Sequence, residues 1–275
     1  MNSLSDPSFV VRNAVASSVS AIACIEIPIH MWDDIFDTFR DIIQNPATSV
    51  ECKTAAVEAI RYICEDLQEF EMSDMMSSSV LLLLLGCMQM NQPDSIWEEA
   101  IVALDQALTF ASSFMENSNQ CRCVMEVIYN SAHHSNERIQ GSAFECLDTV
   151  IDLFYDYIPP FFESFFAPCV KAIEGSVPEI GVQACLTLVT LAQVEKDLLD
   201  AHKPSSELCK QCGPQLIPSL CKAMTDKDED DDSETMTLPT AAATCLRCFA
   251  EIMRDGMILF ISLIYRSRWY CLAFC

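Results

Sequence analysis

The sequence predicts an all-α protein in which antiparallel helix pairs stack in chain order. Glycine supplies only six of 275 residues, roughly a third of its usual share, which disfavours glycine-turned hairpins and phosphate-binding loops. A small or slender residue followed by an apolar or small one recurs inside amphipathic runs, at separations of 40, 44, 43, 38 and 61 residues. Strand-type alternation is nowhere sustained. A helical period near 40 predicts a HEAT/armadillo-like solenoid, an α-α superhelix of about six helix pairs.

The predicted array covers residues 1–255. A lone helix at about 8–26 precedes helix pairs at about 30–67, 73–112, 116–158, 160–200 and 205–254. Breakers mark the turns, as in Asn45-Pro46 and Pro159-Pro160. The recurring small positions let two helices approach closely, and we expect four of them to be buried between helices: Ala59, Ala103, Cys146 and Ala184.

The first pair illustrates how the faces are assigned. A helix from Trp32 to Ile43 is predicted to bury one apolar face, formed by Trp32, Ile35, Phe36, Phe39 and Ile43. Further helices are predicted from Met75 to Met88, from Cys121 to Ser131 and from Phe161 to Ile173.

The 61-residue interval contains an acidic insertion, which we place in a loop at 225–237. Such dense like charge resists helix packing, so the segment is interpreted as solvated. Its acidic residues are Asp226, Asp228, Glu229, Asp230, Asp231, Asp232 and Glu234.

The overall charge limits the classes of partner. With 16 basic and 40 acidic residues, the formal charge is −24, so phosphate backbones and anionic membranes are repelled and basic proteins are favoured. We find no secretory signal and no clean apolar run of about 18 residues, and therefore expect no membrane insertion. Most of the 16 cysteines lie in apolar helical runs, as reduced cysteines do in a reducing intracellular compartment.

Catalysis, cofactors and metals have little support in the sequence. None of the four histidines belongs to a known catalytic motif, and Glu98-Glu99 point apart on a helix, so we predict no enzyme activity and no cofactor. Two Cys-x-x-Cys pairs, Cys209/Cys212 and Cys245/Cys248, could hold zinc, but their separation exceeds the usual ribbon spacing. We interpret these cysteines as core or surface thiols instead.

The last twenty residues, 256–275, leave the helical pattern for an apolar run followed by Arg266, Arg268 and Trp269. The array also starts with a lone second helix, so both ends lack the polar caps that solenoids need. We interpret the chain as a fragment or as the product of a faulty gene model.

Several stretches resemble the importin-β (karyopherin-β) family of nuclear transport receptors. They include residues 21–28 followed by Trp32, residues 57–66, and the acidic run followed by Pro239, Ala241, Ala242, Cys245 and Leu246. The resemblance covers about residues 5–255. It implies a fragment of the amino-terminal half of a receptor more than three times as long.

This resemblance implies a nuclear import receptor that carries protein cargo, directly or through importin-α, and moves between cytoplasm and nucleus through the nuclear pore at the envelope. Its implied partners are FG-repeat nucleoporins, Ran-GTP, and the basic segment of importin-α or basic cargo. It implies that the acidic loop lies against Ran and helps discharge the adaptor. It also implies an FG-nucleoporin pocket, which falls on Leu81, Leu85, Gln120, Cys123 and Val124.

Two positions of that pocket depart from the family pattern, since Gln120 stands in place of an acid and Cys123 in place of an aromatic residue. An alternative function from a different class stays open at this point. A HEAT-repeat scaffold subunit could assemble other proteins without any transport activity.

Overall fold

The computed structural model describes residues 2–67, 72–89, 92–225 and 236–253, and within these ranges every regular element is helical. The predicted fold class is confirmed. Short 3₁₀ turns cover Asn2–Ser5, Leu108–Phe110, Tyr155–Tyr157 and Pro159–Phe161. The α-helices are α1 (Phe9–Glu26), α2 (Ile35–Gln44), α3 (Val50–Asp66), α4 (Asp74–Cys87), α5 (Asp94–Ala107), α6 (Ser112–Glu116), α7 (Ser118–Ala132), α8 (Glu137–Phe154), α9 (Phe162–Ile173), α10 (Pro178–Asp200), α11 (Leu208–Ala223) and α12 (Leu238–Met253).

Local sequence explains where several helices begin and end. The Ser49 and Ser73 hydroxyls accept hydrogen bonds from the third residue of α3 and α4, and the Asn117 side chain caps α7 in the same way. Past the ends of α1 and α10 the chain turns through His30 and His202, whose φ values of 57° and 54° are positive. Glycine usually takes such positions, and this glycine-poor chain uses histidine instead.

The described helices form two compact units, with the boundary inside α8. In unit 1, Met1–Thr149, α3 packs between α1 and α5, while α2 and α4 pack against the same stack. Ala59, Ala103 and Cys146 are fully buried, as predicted. Small side chains at these positions let neighbouring helices approach closely.

In unit 2, Val150–Cys275, α10 packs against α9 and α12, and α12 also contacts α11. Ala184 is fully buried, which confirms the fourth prediction. Buried thiols fill much of this core, and burial raises the pKa of Cys185 and Cys212 to about 12. These thiols are therefore protonated at neutral pH and behave as small apolar side chains.

A buried carboxylate closes the connection between α10 and α11. Glu195 accepts hydrogen bonds from the Tyr155 hydroxyl at 2.5 Å, from the Leu208 backbone N–H at 2.6 Å and from the Cys209 backbone N–H at 3.1 Å. Leu208 and Cys209 are the first two residues of α11, so Glu195 caps that helix from a neighbouring one. Burial and the bond to Glu195 raise the pKa of Tyr155 to about 12.

Two expectations need correction. Helix α2 begins at Ile35, and Trp32 lies before it, partly exposed, because the chain is still turning after His30. The expectation that no segment is long and apolar enough to cross a membrane is wrong for α1. Although it contains Arg12 and Glu26, its length and composition are those of a helix that could cross a membrane. In the structure, polar side chains of α1 bond to α3. The acidic residues 226–234 and the tail 256–275 lie outside the described residues.

Candidate functional site

A row of acidic residues in unit 1 lies on four neighbouring helices. We call α1, α3, α5 and residues 137–149 of α8 the second-helix row. At its first junction, the Asn13 side-chain amide on α1 donates to Glu58 Oε1 at 2.6 Å and to the Tyr62 hydroxyl at 3.0 Å. About two helical turns further along α1, the Ser20 hydroxyl donates to Asp66 Oδ2 on α3 at 3.3 Å. Carboxylates of α3 thus face α1 along its length.

The second junction contains the row's main internal ion pair. Arg61 Nε on α3 donates to Glu99 Oε1 on α5 at 2.6 Å, and the guanidinium lies over the Tyr62 ring, 4.3 Å from its centroid. Burial raises the pKa of Glu99, and the hydrogen bond and charge of Arg61 oppose this rise. The Arg61 side chain therefore links α3 to α5.

The third junction brings together carboxylates with few cations. Thr149 Oγ1 on α8 donates to Asp105 Oδ1 on α5 at 2.6 Å, and burial raises the pKa of Asp105. Glu145 is exposed at the edge of this group; partial desolvation raises its pKa, and the charges of Asp105 and Asp148 raise it further. We call Asp105, Glu145 and Asp148 the Asp105 cluster. Partly desolvated carboxylates close to other negative charges are stabilised more by an approaching cation than fully solvated carboxylates are.

The charge of the whole row follows from its sequence. The second-helix row holds 4 basic and 12 acidic residues, which gives a net charge of 4 minus 12, or −8. Arg138 bonds to Glu98 of α5 at 3.4 Å from an exposed position. Chemically, such a surface can attract an extended basic segment and hydrogen-bond to lysine and arginine side chains.

Sequence reasoning did not single out these row residues, although a signal for them was present. Glu58, Glu98 and Arg138 follow one another at intervals of 40 residues, the same period that predicted the stacked helices. In a stack of repeats, residues one period apart occupy equivalent positions on adjacent helices. Applying the period to charged residues as well as small ones would have found the row.

The predicted FG-nucleoporin pocket falls on two helices that pack together, α4 and α7. Leu81 and Val124 are fully buried and Leu85 is 6% exposed, whereas Gln120 is half-buried and Cys123 is exposed. Three of the five residues thus belong to the core between the helices. Only the last two reach the surface, and the pocket stays a prediction.

The cysteine pairs and histidines occupy separate settings. Cys209, Cys212 and Cys245 are buried, and Cys248 is partly exposed; within the described ranges no three His, Cys, Asp or Glu side chains form a set that could hold a metal ion. His133 Nδ1 lies 2.9 Å from the Tyr129 carbonyl oxygen, and the His134 ring lies tilted against the Trp97 ring, with centroids 5.1 Å apart. Both histidines act in local packing of the end of α7.

Comparison with known proteins identifies long relatives of this chain. No family model matches it. Importin subunit beta-1 of Schizosaccharomyces pombe is 24% identical over 258 residues, 89% of this chain and 30% of that protein. Importin subunit beta-1 of Arabidopsis thaliana is 24% identical over 271 residues, 94% of this chain and 31% of that protein. The chain therefore spans about 30% of the length of these curated relatives, and its resemblance to importin-β is confirmed.

Solved structures show the same fold. Yeast importin-β (Kap95p) matches 90% of this chain and 30% of its own, with a TM-score of 0.84 and 22% identity. Structures of Kap95 in complex with Nup1 and of Kap95p binding RanGDP each match at a TM-score of 0.81. A designed armadillo repeat protein in complex with the peptide (KR)4 matches 90% of the chain at a TM-score of 0.61 and 15% identity.

Proposed function

We propose that the chain is part of a nuclear import receptor and binds basic protein segments on the second-helix row. The observation that carries this proposal is the Asp105 cluster, where burial and neighbouring negative charges raise carboxylate pKa values and the row as a whole carries a charge of −8. A lysine or arginine side chain entering this surface offsets the repulsion between the carboxylates. The ligand would be basic cargo or the basic segment of importin-α.

One of the similar solved structures contains a basic ligand. The curated relatives are importin-β subunits, and the designed armadillo repeat protein is in complex with the peptide (KR)4, which alternates lysine and arginine. Stacked helices suit such a ligand because carboxylates one period apart recur along the stack at a regular spacing. An extended peptide can then place successive cations against successive helices.

The direct test is fluorescence anisotropy with a labelled eight-residue peptide of alternating lysine and arginine. We expect binding that weakens steeply between about 50 and 200 mM salt, because the attraction is between exposed charges that salt screens. A peptide of the same length with glutamate at each cationic position is the control. Absence of binding by the lysine–arginine peptide at millimolar concentration would remove the proposal and favour the scaffold alternative.

The second part of the proposal concerns the nuclear pore. The α4–α7 surface would bind FG repeats of nucleoporins, as the complex of Kap95 with Nup1 suggests for a similar protein. Since Leu81 and Val124 are fully buried, a phenylalanine would enter beside Gln120 and Cys123 and contact Leu85. Affinity for one small apolar pocket would be no tighter than about micromolar.

Nuclear magnetic resonance titration with an FG peptide tests this site. Leu85→Asp would place a charge in the groove, but it would also disturb the core because Leu85 is buried. Cys123→Asp, at an exposed position, is the cleaner variant and should abolish peptide-induced shifts on α7. If the peptide-induced shifts persist in that variant, FG repeats bind at a surface other than the α4–α7 groove.

The third part concerns release. We infer that the acidic residues 226–234, with seven acids and one lysine, contact basic residues of Ran-GTP; Kap95p binds Ran in a structure similar to this chain. Replacing Asp228, Asp230, Asp231 and Asp232 by asparagine should slow association with Ran-GTP and flatten its salt dependence. Equal association rates and equal salt slopes for the parent chain and the variant would leave the segment as a linker.

The receptor would work in both cytoplasm and nucleus, in contact with the nuclear pore.

A further inference from the structure

Arg61 is a cation of the second-helix row itself, and it lies between two of the row's helices. Its Nε donates to Glu99 Oε1 of α5 at 2.6 Å, and its Nη1 donates to Glu65 Oε2 of α3 at 3.4 Å. The guanidinium also lies over the Tyr62 ring, 4.3 Å from its centroid. Carboxylates and aromatic faces are the groups that hold arginine side chains best. Arg61 therefore occupies the α3–α5 junction in the way that an arginine of a ligand would.

The next helix of the row carries the opposite charge at the equivalent position. Arg61 stands two residues after the buried Ala59 on α3. Asp105 stands two residues after the buried Ala103 on α5, and such positions are equivalent in a stack of repeats. Asp105 accepts a hydrogen bond from the Thr149 hydroxyl of α8 at 2.6 Å. The α3–α5 junction is thus occupied by a cation of the chain itself, whereas the corresponding part of the α5–α8 junction presents a carboxylate.

The setting of this ion pair makes Arg61 difficult to displace. The side chains of Arg61 and Glu99 are 21% and 22% exposed, so water and salt screen their attraction less than that of a fully exposed pair. Arg61 also belongs to the same chain as Glu99, and a tethered group competes at an effective concentration of about millimolar or higher. A basic peptide supplied at micromolar concentration therefore does not replace Arg61 at Glu99.

We propose that Arg61 limits where a basic segment binds on the row, because it keeps the ligand out of the α3–α5 junction and directs its cations to the α5–α8 junction. Arg61 can do so only if the row binds basic peptides, so this role rests on the proposed function. A bound peptide meets carboxylates at Asp105 and Glu145, and it meets a like charge at Arg61 if it extends toward α3. Arg61 is therefore a specificity residue that sets the boundary of the peptide site.

Removal of the Arg61 charge should extend the peptide site onto α3. Burial and the charges of Glu58 and Glu98 raise the pKa of Glu99, and Arg61 opposes this rise. Without Arg61, Glu99 is a partly desolvated carboxylate close to other negative charges, which an arriving guanidinium or ammonium group stabilises. In Arg61→Gln, a further cation of the peptide should therefore bind to Glu99.

Fluorescence anisotropy with the labelled lysine–arginine octapeptide, at about 0.15 M salt, measures this effect. Arg61→Gln should tighten binding at least about 5-fold, because it frees an interhelical carboxylate as well as removing one positive charge. Arg138→Gln removes the same charge from an 82% exposed side chain that bonds to Glu98 at 3.4 Å, and should tighten binding less than about 2-fold. The gain should disappear when Arg61→Gln is combined with Glu99→Gln. Equal gains for the two single variants, or a gain that persists in the double variant, would overturn the proposal.

Nuclear magnetic resonance of the parent chain gives a readout that does not depend on how well a variant folds. At saturating peptide, amide signals of α5 and α8 should shift while the Arg61 Nε–H signal stays in place, because its bond to Glu99 is kept. Loss or movement of that signal would mean that the ligand enters the α3–α5 junction, and would overturn the proposal. If the parent chain and Arg61→Gln both fail to bind the peptide, the proposed function falls as well. If the parent binds and Arg61→Gln shows no gain, only the role of Arg61 falls.

Discussion

The two units carry their negative charge in different places. Unit 1 has 6 basic and 22 acidic residues, a net charge of −16, and unit 2 has 10 and 18, a net charge of −8. Residues 226–234 alone account for −6 of the latter, which leaves 9 basic and 11 acidic residues in the rest of unit 2. Unit 1 therefore carries its excess charge throughout its length, whereas unit 2 carries most of it in one interhelical segment.

Individual carboxylates show the same difference. In unit 2, Glu251 of α12 lies 2.5 Å from Lys196 and 2.9 Å from Arg247, and the bond to Lys196 lowers its pKa. In unit 1, the pKa values of Asp105 and Glu145 are raised by burial. Glu251 thus joins α10 to α12 through cations. By contrast, Asp105 accepts only from a threonine hydroxyl of α8 among its interhelical bonds in the described part of the chain, so it and Glu145 are acids that a cationic partner would stabilise.

The largest expected effect comes from removing the buried acceptor of unit 2. Glu195→Ala leaves the Tyr155 hydroxyl and two N–H groups of α11 without their acceptor. We expect the free energy of unfolding to fall by about 2–4 kcal/mol, because buried donors that lose a charged partner bear the full desolvation cost. Urea denaturation measures the change.

Glu207→Ala is the matched control, since Glu207 is exposed and pairs with the exposed Lys210. This control should shift stability by less than about 0.5 kcal/mol. Equal effects of the two substitutions would mean that the cap formed by Glu195 does not stabilise α11.

A smaller loss is expected from overfilling a helix seam in unit 1. Ala103→Phe inserts a large ring at a fully buried position of α5 and should cost about 1–3 kcal/mol. The corresponding control is Ala201→Phe, at the exposed end of α10. An unchanged melting temperature for Ala103→Phe would contradict the register of the stack, and thermal circular dichroism provides the comparison.

The smallest expected effect is a gain in stability rather than a loss. The folded-state pKa of Glu145 lies above its unfolded value, so its ionisation opposes folding at any pH above both values and has no effect below the unfolded pKa. Glu145→Gln should therefore raise the melting temperature at pH 7 by about 1–2 °C, a small change because the side chain is near solvent. The gain should vanish near pH 4. A gain that persists at pH 4 would assign it to packing rather than charge.

Much of the fold was predictable because it follows from a period. Small residues near 40 apart located Ala59, Ala103, Cys146 and Ala184, all of which are buried. The period did not show that the chain turns before Ile35, because Trp32 fits the apolar spacing of α2 although the backbone reverses at His30. Turn geometry at a non-glycine residue leaves little trace in hydrophobic spacing.

The candidate site was less accessible to sequence reasoning. A resemblance can assign Leu81 and Val124 to a pocket, but it does not show how deeply the packing of α4 and α7 buries them. Similarly, the raised pKa values of Asp105 and Glu145 depend on burial and on the approach of α5 and α8, which brings together residues 40 and 44 apart in the sequence. Burial and proximity are properties of packing, so these features required the structure.

The most direct test asks which unit holds a basic ligand. We would measure anisotropy of the labelled lysine–arginine octapeptide with the parent chain and with two variants that each remove two charges. One is Asp105→Asn with Glu145→Gln in the second-helix row, and the other is Asp228→Asn with Asp230→Asn in the acidic segment. We predict that the row variant weakens binding about 10-fold and the segment variant less than about 3-fold, because the row's carboxylates are partly desolvated and fixed. Equal losses, or a larger loss from the segment variant, would contradict the assignment of the basic ligand to unit 1.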